Sequence, residues 1–82
     1  MYKNKASDGR NNICGLKVKE LRQALPNKPS QREFAGMLQL AGLDVEKNAV
    51  QSIESGKRFV TDIELKVIAQ VLKVSYEELL GE

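Results

Sequence analysis

The sequence predicts an all-α domain of five helices, on three observations. The pattern S/T-x-x-E occurs at Ser30–Glu33, Thr61–Glu64 and Ser75–Glu78, each time leading into an apolar-periodic segment. In this capping box the hydroxyl accepts from the N3 amide while the carboxylate reaches back to the cap amide, so each match marks a helix start. Each acid also sits where the helix dipole favours negative charge. Apolar residues recur at helical spacing, and no stretch alternates with period two. Pro26, Pro29, Gly42 and Gly56 fall between the periodic runs, where helices must stop.

In chain order, residues 1–12 are rich in Lys, Asn and Gly without an apolar period, and read as a flexible or disordered basic arm ahead of a domain spanning 13–82. Val18, Leu21 and Leu25 place the first helix from about Leu16 to Leu25, stopped by Pro26 and Pro29. The second starts at Gln31, with Phe34, Ala35, Leu38 and Ala41 on one face and Gly42 at C′. Asp44 is the expected N-cap of the third, which buries Ala49, Val50 and Ile53 and ends at Gly56. The fourth runs from Asp62 to about Lys73 with Leu65, Ile68, Ala69 and Leu72 inward, and a short fifth, Tyr76 to Leu80, closes with Leu79.

Eighty-two residues, 41% apolar and 29% charged, suit one small globular domain. No apolar run is long enough for a membrane span, and the polar start MYKNKASDGRNN is unlike a secretory signal. One cysteine, Cys14, cannot form an internal disulfide, which fits the cytoplasm; near the start of the first helix it reads as an inert small residue. With no histidine, the residues for a His-based acid/base pair, a His/Cys zinc site or a Cys-His nucleophile are lacking. The expectation is a protein that is not an enzyme and uses no metal or cofactor.

The net charge of +2 conceals a gradient: residues 1–28 carry Lys3, Lys5, Arg10, Lys17, Lys19, Arg22 and Lys28 against Asp8 and Glu20. Residues 59–82 carry Lys66 and Lys73 against Asp62, Glu64, Glu77, Glu78 and Glu82. A basic end and an acidic end allow a polyanion to dock on one side only; a solvated tail with ordinary surface charge accounts for the gradient equally well.

The strings SQREFAGML, VQSIESGKR and DIELKVIAQVLKVSYEELL, in that order, resemble the helix-turn-helix domain of the phage-repressor, Cro-type (XRE) family from about Leu16 to Leu80. The resemblance implies a lambda-repressor-like domain whose helix-turn-helix is formed by helices two and three. It implies sequence-specific binding of double-stranded DNA by a small transcriptional regulator, a repressor occupying its operator as a homodimer, with no small-molecule effector. One departure bears on register: Ser30 to Glu54 is about five residues longer than the common family spacing, around LQLAGLDVE, so that helix two is a turn longer or the turn is looser. The PNKP loop is about two residues longer as well.

With Val50 and Ile53 facing inward, Glu46, Lys47, Asn48, Gln51, Ser52 and Ser55 face out. The family's base-contacting positions correspond to Lys47, Asn48 and Ser52, with Gln51 adjacent. Asn or Gln pairs bidentately with adenine, and Lys donates to guanine O6/N7. Gln31 matches the family's phosphate contact at a helix N-terminus, and Lys57 and Arg58, just after helix three, are further backbone candidates. The resemblance also implies that Glu54 pairs with Arg22 as a structural clamp. Ile63, Val67 and Val71 form a second apolar stripe on helix four, with Phe59, Val60, Tyr76 and Leu80 near the same end. That surface is extra core, or the dimer contact. The competing function is a protein-interaction module, an antitoxin or adaptor gripping a partner through helices four and five.

Overall fold

The computed structural model describes residues 9–80, which form α1 (Gly15–Ala24), α2 (Gln31–Leu40), α3 (Lys47–Ser55), α4 (Asp62–Leu72) and α5 (Tyr76–Leu80), with no strand among the described residues. Local chemistry sets the starts of α2 and α4. Ser30 Oγ accepts from the Glu33 N–H at 3.1 Å and Glu33 Oε1 accepts from the Ser30 N–H at 2.8 Å. Thr61 and Glu64 repeat this exchange at 3.2 and 3.1 Å. At α5 the Ser75 hydroxyl accepts from the Glu78 N–H.

Helix ends follow a second rule. At α2 the chain turns through Gly42 (φ +99°), the Leu43 N–H donates to Leu38 O and the Gly42 N–H to Gln39 O. This is a Schellman closure, which satisfies carbonyls that lack a helical partner. Gly56 (φ +83°) turns the chain after α3, where the Lys57 N–H reaches back to Ser52 O. After α4 the left-handed position is taken by Lys73 (φ +59°), with the Val74 N–H on Ala69 O.

The start of α3 differs from expectation. Its N-cap is Glu46, two residues beyond Asp44, and no side chain bonds the cap. The reason is tertiary: Val45 is buried in the core and its carbonyl accepts from Gln39 Nε2 at 2.6 Å, which holds the chain extended past Asp44. The connection from α2 therefore spans Ala41–Glu46, six residues, longer than the three or four of a compact helix-turn-helix.

One core joins all five helices: Val18 of α1, Phe34, Ala35 and Leu38 of α2, Val50 and Ile53 of α3, Ile68, Ala69 and Leu72 of α4, and Leu79 of α5, together with Cys14 and Val45. Leu21, Leu25, Leu65, Val67 and Val71 pack half-buried against it, whereas Ile63 remains 69% exposed. Burial pushes the Cys14 thiol pKa up, disfavouring the thiolate. No helix of the described residues is long and apolar enough to cross a membrane.

The expected arm falls mainly on residues 1–8, including Lys3 and Lys5, outside the described residues. Its last residues are part of the folded unit. The Asn11 N–H donates to Gly56 O at 2.8 Å, and Asn12 is buried. Gly15 permits this approach, because a Cβ there would overlap Ile53 O and crowd Arg10 and Asn12.

Two substitutions test these backbone assignments by thermal and denaturant unfolding. Gly15→Ala should destabilise by about 1–3 kcal/mol or more through forced overpacking. Lys73→Gly should stabilise by about 0.5–1 kcal/mol, since relief of the left-handed strain exceeds glycine's added chain entropy. No loss in the first, or a loss in the second, contradicts the described backbone.

Candidate nucleic-acid interface

Helices α2 and α3 pack through Phe34, Ala35, Leu38, Val50 and Ile53, leaving an open groove along their outer sides. Its floor is Ala35 and Gly36, and its walls carry Arg32 and Gln39 from α2 and Glu46, Lys47 and Asn48 from the start of α3. A Cβ at Gly36 would meet nothing within 4 Å, so the floor is open to a surface approaching from outside.

The sequence-predicted base-contact residues share one face. Lys47, Asn48 and Gln51 are exposed, while Ser52 is half-buried and its carbonyl accepts from the Lys57 and Arg58 N–H groups. Arg32 and Gln39 were not singled out from the sequence. A signal was present, since Arg32, Gly36 and Gln39 recur at i, i+4, i+7 and mark one polar, small-residue face of α2.

The expected backbone-contact residues separate into two kinds. Lys57 is exposed immediately after α3. Arg58 is drawn toward the protein instead: its guanidinium pairs with Glu64 of α4, and its side chain is 39% exposed. Gln31 is half-buried, with Nε2 donating to Glu54 Oε1 at 3.0 Å. The amide nitrogen carries two hydrogens, so this bond leaves Gln31 one further donor.

Beneath the interface lies an ion pair. Arg22 Nε donates to Glu54 Oε2 at 2.7 Å and Nη2 to Oε1 at 3.0 Å, a bidentate contact with both side chains under a tenth exposed. Arg22 Nη1 also donates to Pro29 O at 2.8 Å. One guanidinium thus ties α1, the α1–α2 loop and α3, and the Gln31 amide brings in the start of α2. Hydrogen bonding to Glu54 holds the Arg22 guanidinium above its ordinary range, outweighing the opposing effect of burial, so it stays charged.

Electrostatically, the start of α3 is unlike those of α2 and α4. It has no acid in its first turn, no side-chain cap bond, and Lys47 at its first position, against the dipole. This end is poorly optimised for helix stability and well arranged to present donors to an anion. Glu46 beside it is the opposing charge, suited to a base-edge amine and unsuited to phosphate.

Comparison with protein-family models, with curated proteins and with solved structures finds no match for this chain.

Breaking the buried pair leaves an uncompensated charge. Arg22→Ala should therefore destabilise by about 3–5 kcal/mol, and replacing both Arg22 and Glu54 with apolar residues of similar volume should recover much of that loss. Denaturant titration of the three proteins checks this, and equal midpoints for wild type and Arg22→Ala would contradict it.

Proposed function

We propose that the protein binds double-stranded DNA sequence-specifically, as a small Cro-type transcriptional regulator that inserts α3 into the major groove. The observation that carries this reading is the start of α3. Lys47, Asn48 and Gln51 stand exposed opposite the buried Val50 and Ile53, and Lys47 and Asn48 lie at a helix end without local capping, beside Arg32 and Gln39. An α-helix fits the major groove, where each base pair presents a distinct donor and acceptor pattern, and helix-turn-helix proteins read it with the first turns of their second helix. In this reading Lys47, Asn48, Gln51 and Ser52 address base edges. Lys57, the remaining donor of Gln31, and Arg58 on exchange with Glu64 address phosphates. The protein represses by occupying its operator and requires no cofactor or effector.

One such unit reads about half a turn of duplex, so a homodimer completes the site, with half-sites about 34 Å apart. A second copy fits the apolar end formed by Phe59, Ile63 and Tyr76, which are 52%, 69% and 49% exposed. Asp62 and Lys66 flank a shallow depression there with Ile63, Tyr76 and Leu80; across a two-fold axis, such opposite charges pair with their counterparts. The same exposed end favours the second reading, an antitoxin or adaptor that grips a different protein through α4 and α5.

Selection of duplexes from a random library, with affinity measured at two salt concentrations, separates the readings. A near-palindrome with half-sites one turn apart, bound much more tightly than random DNA and weakening steeply with salt, is the expected result. Weak sequence-blind binding, or none, points to the protein-interaction reading. On the selected duplex, Lys57→Ala should weaken binding to all sequences alike and reduce the salt slope by about 1. Asn48→Ala should remove about 1–3 kcal/mol of discrimination at one or two base pairs while sparing nonspecific affinity. If both variants behave alike, α3 is not the reading helix in this register.

A further inference from the structure

The last turn of α3 and the residues after it present carbonyl oxygens that the helix itself cannot satisfy. Ile53 O accepts locally from the Gly56 N–H, and the further donors to this end come from more than 40 residues upstream in the chain. Arg10 Nη2 donates to Glu54 O at 2.6 Å, the Asn11 N–H to Gly56 O at 2.8 Å, and Asn11 Nδ2 to Lys57 O at 2.8 Å. Asn12 Nδ2 donates to both Ile53 O, at 3.1 Å, and Arg58 O, at 2.7 Å, while its Oδ1 accepts from the Gly15 N–H at 2.8 Å. Both hydrogens of the Asn12 amide nitrogen and its oxygen are therefore engaged, at a residue only 8% exposed. A single side chain joins the start of α1, the end of α3 and the turn that carries Lys57 and Arg58.

We propose that Asn11 and Asn12 are positioning residues for DNA readout, forming a clamp that sets the orientation of α3 from its C-terminal end. The proposal rests on the DNA-binding reading above and assigns a role to a segment outside the helix-turn-helix. Its leverage is geometric. With nine residues, α3 is about 13 Å long, so a tilt of about 5° about its clamped end moves Lys47 and Asn48 by about 1 Å. Hydrogen bonds to base edges do not survive such a displacement, whereas attraction to phosphates hardly changes. The carbonyls that the clamp holds include those of Lys57 and Arg58, so the turn bearing the phosphate-contact candidates is set by the same residues.

The test compares Asn12→Ala and the milder Asn11→Ala, which keeps its backbone bond to Gly56, with Leu79→Val, a core change in α5 that lowers the melting temperature without touching the clamp. Affinities for the selected duplex and for random duplex are measured where circular dichroism shows each variant folded, together with amide hydrogen exchange. We expect Asn12→Ala to weaken binding to the selected duplex about tenfold or more, with Asn11→Ala intermediate, while random-duplex binding changes less than about threefold. Leu79→Val should leave both affinities near wild type. Exchange at the Gly56, Lys57 and Arg58 amides should quicken in the Asn variants alone. Unchanged selected-duplex affinity in folded Asn12→Ala overturns the proposal, as does a loss shared by Leu79→Val; should Asn12→Ala not fold, Asn11→Ala decides by the same criteria. A wild-type chain that selects no duplex overturns the DNA reading instead, and exchange at those three amides then decides the clamp by itself.

Discussion

The buried carboxylate of Glu54 is the constraint around which the rest of this protein is arranged. Placed in the interior on the last turn of α3, it requires a cation, and Arg22 supplies one with the planar geometry that meets both oxygens. A third guanidinium donor on Pro29 O fixes the loop into α2, and the Gln31 amide adds a further bond to the carboxylate. A pair of this kind contributes little net stability over an apolar equivalent. It joins α1, the α1–α2 loop and α3, and an arrangement that separated Arg22 from Glu54 would leave a charge buried without its partner.

This matters because α3 has little local claim to its position. Complete capping boxes start α2 and α4, whereas α3 begins with an uncapped glutamate and a lysine against the dipole. Its place is held by contacts distant in sequence: apolar burial of Val50 and Ile53, the Arg22 pair, and the asparagines at its far end. A helix stabilised from its inner face and its C-terminus leaves its N-terminus and outer face free to carry donors.

Most of the helical framework was legible because its signals are short-range. Capping boxes at Ser30 and Thr61, left-handed glycines at 42 and 56 and the apolar periods of α2 and α4 each depend on residues within a turn or two. Asp44 was misread for the same reason: it is a good cap residue locally, but Val45 is claimed by the core and the helix begins beyond it. Residues 9–12 were read as arm because polar residues without a period lack a local signature. Their order comes from bonds to carbonyls more than 40 residues away. At the interface, Lys47, Asn48 and Gln51 followed from the position of Val50 and Ile53, while Arg32 and Gln39 entered only when α2 and α3 were set side by side.

The sequence by itself determined the all-helical class, the number of helices, most of their boundaries and most of each inward face, because these depend on capping, backbone preference and periodic burial; Ala41, expected on the inward face of α2, is its exposed C-cap. Only the tertiary structure decided where α3 starts, that Gln31 and Arg58 turn toward Glu54 and Glu64, and that Asn11 and Asn12 close the end of α3. The physical reason is common to all three. Burying a carboxylate or a carbonyl creates a demand for a donor, and which donor meets it depends on proximity in space, which no local pattern encodes.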